Sequence, residues 1–474
     1  MKKLLSIVVL LALAASVAVA APSGKASPLA DARVRQAIKY AIDMVDTFYR
    51  VIKLGTFYNM VPQKASGSSH DFETDPIVPR LDPADPAWLV ATGTTLGADD
   101  GVGVAMALAI LEDPELIHGP LECLFTTDEE DGMSGALGLE TGALRGSLLL
   151  NLDGEDDGEI TIGCAGSIRT SAELSAPALA LPSGYALFGA SVSGLLGGHS
   201  GADIDKGRAN ASLALVRLLG RAGLPLRLAS IEGGTAANAI PREARAVVAV
   251  RSASVDAFRL AFEKEAAALK AELGAADPNF AAALSPYESP NALSALDEER
   301  SASILAALSG LPNGLQAMEP DMPGLVRTSL NLGRLSSRAE AGVIALSVLV
   351  MVRSSSDEEK EALAQKVEAR LDAATGWRVL RKRLAVGPAW APNPASAFLA
   401  LAKGCYGEVF GKAPRVASTH GGLECALFKP RFPNWDMISV GPKILFPHSP
   451  DERIEIASVG RSYRFVKELV GTLA

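Results

Sequence analysis

The sequence predicts an α/β fold with a mostly parallel sheet, into which a separate α+β domain is inserted. Three observations support this prediction. Between residues 87 and 157, strand-like apolar runs alternate with Ala- and Leu-rich helical runs, which is typical of parallel sheets. From about residue 168 the pattern changes to amphipathic strands between long charged helices. Near residues 392–394 it changes back to a helix followed by an apolar strand.

Length and composition set the broad class of the protein. The chain has 474 residues, 48% of them hydrophobic, and single cores rarely grow beyond about 250–300 residues. The composition therefore predicts at least two domains. The net charge is −9, and no basic stripe is interleaved with aromatic residues, which argues against nucleic acid as a partner.

The first twenty residues have the pattern of a secretory signal peptide. Lys2 and Lys3 precede an apolar run at 4–15, and Ala18-Val19-Ala20 matches a small-residue cleavage site. An uncleaved anchor is the alternative, although the apolar run is short for a span of about 20 residues. We therefore expect an exported protein, periplasmic or extracellular, that has no membrane contact after cleavage.

The next portion, residues 21–167, is predicted to form the first part of the α/β domain. Its predicted helices lie at 31–49, 102–111 and 134–139, and its predicted strands at 57–61, 87–95, 121–127 and 147–152. Alternation of this kind predicts a largely parallel sheet, with the carboxyl ends of the strands at a common edge.

The inserted domain is predicted at residues 168–386, and the α/β domain resumes at 387–474. Predicted strands at 246–251 and 344–353 and helices at 255–273 and 356–373 belong to the insertion. The last part contains predicted helices at 396–410 and 456–470 and a strand at 436–441. The spacing of the four cysteines has no metal-site pattern, and a Cys405–Cys425 bridge is left open.

Acidic clusters follow three of the predicted strands, at 99–100, 128–131 and 153–157, and His448 follows a fourth. An isolated pair such as Asp99-Asp100 is usually a helix cap, and several clusters together can form a solvated acidic rim. Carboxylates gathered at one edge also repel one another, and divalent cations relieve that repulsion. A carboxylate that bridges two metal ions beside a glutamate base is a known hydrolytic arrangement.

The exact residues of the sequence motifs identify a protein family more specifically than the hydrophobic periodicity does. The matching segments are MVPQK at 60–64, HDF at 70–72, GTTLGADDGVG at 93–103, DEEDGMSGA at 128–136, NLD at 151–153, GGHSG at 197–201, GRAN at 207–210, NAIPR at 238–242, SLNLG at 329–333, HGGLEC at 420–425 and HSPDER at 448–453. In this order they resemble the M20 family of metallopeptidases, most closely its aminoacyl-histidine dipeptidase branch. The resemblance implies a zinc-peptidase-like catalytic domain with an inserted lid, and hydrolysis of dipeptides of the Xaa-His or non-specific type.

The resemblance also implies a metal centre of one or two divalent ions, zinc by preference and manganese or cobalt as alternatives. Asp99 would bridge the ions, Glu130 and His448 would complete one site, and Asp153 would serve the other. Glu129 would take a proton from water and pass it to the leaving amine.

The remaining family positions imply contacts with the substrate. His199, from the lid, would stabilise the oxyanion, and Arg353 would bind the terminal carboxylate of a dipeptide. Asn238, His420 and Glu424 would line the pocket. The resemblance leaves a homodimer possible.

The sequence departs from the family pattern before residue 60. The family has His-x-Asp where this chain has Phe57 and Asn59, and phenylalanine cannot ligate a metal. The portion before this motif is also shorter than in the family. Three alternatives therefore stay open: a dipeptidase with one well-held metal, a degenerate member that binds metal or peptide without hydrolysis, and a glycosidase that uses paired carboxylates.

Overall fold

The computed structural model describes residues 63–72, 75–130, 132–288, 293–320, 322–340 and 342–474. The predicted signal peptide, the predicted helix at 31–49 and the predicted strand at 57–61 lie outside these residues, as do Phe57 and Asn59. Predictions that concern them stay predictions.

The described helices, in chain order, are α1 Ala98–Leu111, α2 Ser134–Gly138, α3 Ala211–Arg221, α4 Val255–Leu273, α5 Glu298–Ser309, α6 Asp357–Asp372, α7 Ala397–Phe410, α8 Glu424–Phe428 and α9 Ile456–Gly471. The described strands are β1 Pro79–Leu81, β2 Trp88–Ala91, β3 Leu148–Asn151, β4 Glu159–Cys164, β5 Gly166–Pro177, β6 Leu179–Ala180, β7 Tyr185–Ser193, β8 Gly198–His199, β9 Leu226–Gly233, β10 Ala239–Ile240, β11 Ala244–Arg251, β12 Ala281–Pro286, β13 Ser294–Ala295, β14 Gly314–Met318, β15 Val326–Glu340, β16 Val343–Ser354, β17 Arg378–Gly387, β18 Arg415–Thr419, β19 Asp436–Ser439, β20 Ile444–Leu445 and β21 Arg453–Glu455.

A four-stranded sheet in the order β18-β4-β19-β3 joins the two parts of the α/β region. Its outer pairs, β18 with β4 and β19 with β3, are parallel, whereas β19 and β4 run antiparallel. Helices α1, α7 and α9 supply apolar side chains to the same core as this sheet, including Met106, Phe398 and Val459 beside Ile160 and Ile438. The mostly parallel sheet that the sequence predicts is therefore present.

The predicted strand at 87–95 does not belong to that sheet. The residues of this run that form a strand, β2, lie in a separate antiparallel sheet with the order β1-β2-β21-β20. Trp88 lies opposite Glu455, so a segment near the start of the described chain pairs with one near its C-terminus. The placement of this run in the largely parallel sheet is wrong, because an apolar run indicates burial and not the strand with which it will pair.

The predicted strand at 121–127 is not a strand in the described structure. This segment borders a cavity of about 540 Å³, which helix α1 and strand β3 also line. Its polar groups make contacts other than ladder hydrogen bonds, since the Glu122 carboxylate accepts the N–H groups of Arg145 and Gly146 at 2.8 and 2.9 Å. The apolar pattern is correct, but within the described residues this segment belongs to none of the sheets.

A nine-stranded antiparallel sheet forms the inserted part, in the order β12-β7-β11-β9-β15-β16-β5-β17, with β14 paired to β15. Helices α3 to α6 contribute to one large core with its strands, represented by Leu215, Phe258, Ile304, Leu363 and Val248. The predicted elements of the insertion are all present as helices or strands of similar extent. The domain boundaries drawn from the sequence stay predictions.

Two further features bear on the sequence predictions. Cys405 and Cys425 are free thiols that belong to different apolar clusters, so they do not form the bridge left open above. Among the helices in the described ranges, none combines the length and apolarity needed to cross a membrane.

Candidate metal centre and substrate pocket

The two aspartates at the start of α1 have different roles. Neither has helical dihedral angles, and the Oδ1 atom of Asp100 accepts the N–H of Gly103 at 2.9 Å, as a helix cap does. A Cβ on Gly103 would collide with the Asp100 carboxylate, which would then have to shift from this position. The Asp99 carboxylate instead contacts His448, whose Nε2 atom lies 3.1 Å from Asp99 Oδ2, and the peptide bond between the two aspartates is cis. The cap interpretation therefore applies to Asp100 only.

Asp99, Glu130 and His448 come together as a three-residue cluster. The Nε2 atom of His448 lies 3.1 Å from Asp99 Oδ2 and 2.8 Å from Glu130 Oε2. One ligand atom from each residue lies within 4.8 Å of the others. Two carboxylates and an imidazole form a donor set that suits zinc and other divalent transition metals.

A tight loop presents Glu129 and Glu130. The N–H groups of Gly132 and Met133 both bond to the carbonyl of Asp128, and Asp128 itself has a positive φ of 62°. The loop thereby turns directly after the extended segment at 121–127.

Other carboxylates surround the cluster at high density. Burial, followed by the charge of Asp99, raises the pKa of Asp153 well above its usual range. Burial, followed by the charges of Glu130 and Asp99, raises the pKa of Glu129 to about 8. This crowding of negative charge is what a divalent cation would neutralise, so these residues fit a metal centre.

The protonation of His448 reflects the same crowding. Hydrogen bonds to Asp99 and Glu130 raise the pKa of His448 to about 10 in the metal-free protein. An unfolded histidine titrates near 6.5, so the stabilisation from this imidazolium is complete below that pH. It is lost as the pH rises through about 10.

We expect metal binding to release protons, because a histidine ligand must be neutral. At pH 7.5, titration calorimetry with zinc in two buffers of different ionisation enthalpy should show release of about one proton or more. The apparent affinity should rise with pH, and the increase in Tm caused by zinc should be larger at pH 9 than at pH 6. Binding without proton release at pH 7.5 would contradict the assignment of His448 as a ligand.

The inserted part and the α/β part meet at His420. Ser329 and Arg353 are cross-strand neighbours on β15 and β16. The Ser329 hydroxyl lies 2.7 Å from His420 Nε2, and Arg353 donates from Nη1 to the His420 carbonyl at 3.2 Å. Burial lowers the pKa of His420 to about 3, so this imidazole is neutral at physiological pH.

Arg353 is a buried cation without a carboxylate partner in the described part of the chain. Its exposed fraction is 8%, its Nε atom has no hydrogen-bond partner, and burial lowers its pKa to about 10. The Nδ1 atom of His420 is also buried and unpartnered. Buried donors without partners are costly, which favours a site that receives an anionic ligand.

His199 lies on the short β8–β10 ladder, and Asn238 directly precedes β10. His199 pairs with Ala239, and the Ser200 N–H donates to the Asn238 carbonyl at 2.7 Å. The His199 Nδ1 atom accepts N–H groups of Gly201 and Ala202, which leaves its Nε2 atom as the donor. Burial, followed by the charge of Arg353, lowers the pKa of His199.

Glu424 begins helix α8 beside the carboxylates. One of its oxygens accepts the Thr126 hydroxyl at 2.8 Å, and the other is buried without a partner. Its charge is one of the causes that raise the pKa of Glu129. The predicted pocket residue therefore lies close to the predicted base.

The sequence prediction did not include three residues that support the site. Ser329 contacts His420, and Asn331 donates to the carbonyls of Ala237 and Ala239 at 2.9 and 2.8 Å, which holds the loop that carries Asn238. Glu452 binds the backbone before Asp99. All three lie inside the quoted motifs, and that position was the available signal.

Comparison with known proteins decides the family. The profile of peptidase family M20/M25/M40 matches residues 80–472. This chain belongs to peptidase family M20. The cytosol non-specific dipeptidase of Escherichia coli (strain K12) is 39% identical over 421 residues, which are 88% of this chain and 84% of that protein.

Solved structures of M20 peptidases agree with this assignment. The aminoacylhistidine dipeptidase of Vibrio alginolyticus superposes with a TM-score of 0.76 at 38% identity, covering 88% of this chain and 83% of that one. An aminopeptidase of Bacillus cereus has a TM-score of 0.53 at 13% identity, covering 93% of this chain and 98% of that one, and so shows the fold alone. The chain thus has the M20 fold of a catalytic domain with a lid, and its relatives are dipeptidases.

One sequence prediction is overturned by these relatives. We expected an exported protein, periplasmic or extracellular, from the apolar run near the N-terminus. The relative at 39% identity is a cytosol dipeptidase, so the prediction of export is wrong. A short apolar run after two lysines is a compositional signal only, and residues 1–20 lie outside the described structure.

Proposed function

We propose that this M20 peptidase hydrolyses dipeptides with a divalent cation held by Asp99, Glu130 and His448. The observation that carries the proposal is the cluster itself, in which one imidazole nitrogen lies within 3.1 Å of two carboxylates. Asp153 is a candidate ligand for a second ion. Zinc is the proposed metal because the donor set contains both nitrogen and oxygen, and manganese or cobalt would also be accepted.

The cation, when bound, supplies Lewis acidity that polarises the peptide carbonyl and lowers the pKa of a water molecule. Glu129 then takes the proton of the attacking water and gives it to the leaving amine. A base is most useful when its pKa lies near the working pH. The pKa of Glu129, raised to about 8 without metal, will fall when a cation enters the site, which keeps the carboxylate ionised at neutral pH.

The lid supplies the groups that orient the substrate. Arg353 would pair with the terminal carboxylate of a dipeptide, since its guanidinium is buried and lacks an anionic partner in the described residues. His199 would donate from Nε2 to the developing oxyanion, with Asn238 beside it. His420 and Glu424 would complete the pocket wall. A buried guanidinium that binds the terminal carboxylate favours substrates with a free C-terminus over the corresponding amides.

The experiment that tests this proposal is an assay of the purified protein with zinc added and with a chelator. We expect hydrolysis of dipeptides that have a free C-terminal carboxylate, at a much lower rate for the matching C-terminal amides. Chelation should abolish the reaction. Equal rates on acids and amides would remove Arg353 from its proposed role, and activity that survives chelation would remove the metal.

A non-catalytic role is the second candidate, favoured by Phe57 and Asn59 at the positions of the family's His-x-Asp. The same assay on a Phe57→His/Asn59→Asp variant separates the two functions. Comparable rates for both proteins support the enzyme. Activity in the variant alone would make the natural chain a peptide- or metal-binding protein, which calorimetry with a dipeptide would then measure.

A further inference from the structure

Glu452 makes more backbone contacts than a side chain usually does. Its Oε2 atom accepts the N–H groups of Leu96 and Gly97 at 2.8 and 2.9 Å, and its Oε1 atom accepts those of Ala98 and Asp99 at 2.8 and 3.3 Å. The residue is 1% exposed. Two oxygens of one buried carboxyl group thus accept four consecutive backbone N–H groups and hold them in place.

The four amides belong to the turn that ends in Asp99. Gly97 has a positive φ of 73°, and none of the turn's own side chains caps the start of α1 before Asp100. Consecutive N–H groups that converge in such a turn form a concave anion site. Glu452 fills this site from the other end of the chain and thereby fixes the backbone from which the Asp99 side chain extends.

Glu452 also lies on the same compact turn as His448. The Glu452 N–H donates to the Ser449 carbonyl at 3.0 Å, and the Asp451 N–H donates to the Ser449 hydroxyl at 3.2 Å. The Ser449 hydroxyl in turn donates to the carbonyl of Phe446 at 2.8 Å. One end of the turn carries the imidazole of the cluster, and the other end binds the segment that carries Asp99.

We propose that Glu452 is a positioning residue that sets the separation of the Asp99 carboxylate and the His448 imidazole, and thereby the affinity of the cluster for a divalent cation. The inference rests on the proposed function of the cluster. It goes beyond packing, because the carboxylate joins the two segments that supply two of the three proposed ligands. Outer-shell residues of this kind typically change metal affinity by about 10–100-fold.

The test is the zinc affinity of Glu452→Gln, measured by competition with a chromogenic chelator. Glutamine keeps the size of the side chain but turns an NH₂ group toward two of the amides. We expect affinity to fall by about 10–100-fold, and the visible absorption spectrum of the cobalt-substituted protein to change.

The matched control is Asp277→Asn, in the inserted part. Asp277 is 2% exposed and accepts the N–H groups of Leu196 and Ala209 at 2.7 Å each. This variant should lose stability in the same way, without a change in zinc affinity or in the cobalt spectrum. Unchanged affinity and spectrum in Glu452→Gln would leave Glu452 a purely structural residue and overturn the inference.

If the Glu452→Gln protein does not fold, two further measurements still test the inference. Glu452→Asp keeps the charge but shortens the reach, so it should also lower zinc affinity. In the metal-free natural protein, the amides of residues 96–99 should exchange slowly with solvent, and rapid exchange would overturn the geometry. If the natural protein binds no zinc at all, the proposed function fails instead, so the two failures are distinguishable.

Discussion

Glu129→Gln should abolish dipeptide hydrolysis while the metal content of the protein stays unchanged. Glutamine has nearly the same shape but cannot accept the proton of the attacking water, and loss of a general base typically costs about 10²–10⁴-fold in rate. Glu129 is not one of the three clustered ligands, so zinc should remain bound. The measurements are kcat on a dipeptide and elemental analysis of the same sample.

Glu140→Gln provides the control for this variant, since Glu140 is an exposed glutamate a short way along the same segment. Its turnover should equal that of the natural protein. Unchanged turnover in Glu129→Gln would transfer the role of base to another carboxylate, for which Glu424 is a candidate because its charge contributes to the raised pKa of Glu129.

His448→Ala should remove both the metal and the activity. The variant deletes the only nitrogen ligand of the cluster and leaves Asp99 and Glu130 facing each other without their shared partner. The loss of zinc affinity should exceed the about 10–100-fold that outer-shell changes cause. Chelator competition and kcat/KM on a dipeptide are the measurements.

His118→Ala is the control, because His118 is exposed and its Nδ1 atom lies 2.6 Å from the neighbouring Gly119 carbonyl, outside the cluster. The zinc content of His118→Ala should equal that of the natural protein. A His448→Ala protein that still binds zinc with full affinity would show that the cluster is not the metal centre.

The sequence was sufficient for the residues of the cluster and insufficient for its scaffold. The three cluster residues could be predicted because each lies in a family-specific sequence motif. The structure brings together Asp99, Glu130 and His448. The strand partners could not be predicted. Periodicity identified β2 as a buried run, but only the three-dimensional structure shows that it pairs with β21 in a separate antiparallel sheet.

The supporting contacts were harder to predict for a related reason. Glu452 resembles any other acidic residue of an exposed turn, and its role depends on amides that lie 353 to 356 positions away in the chain. Likewise, the apolar run at 121–127 has the composition of a strand but lines a cavity. Local patterns record which side chains are buried, whereas these features depend on contacts between distant segments.

The antiparallel pairing of β2 with β21 has a consequence for biosynthesis. The nascent chain carries Asp99 and Glu130 out of the ribosome long before it carries His448 and Glu452. Until synthesis has passed β21, both carboxylates lack their imidazole partner, and the turn that carries Asp99 lacks its hydrogen bonds to Glu452. The three-residue cluster therefore cannot be complete before the C-terminal segment has been synthesised and has docked.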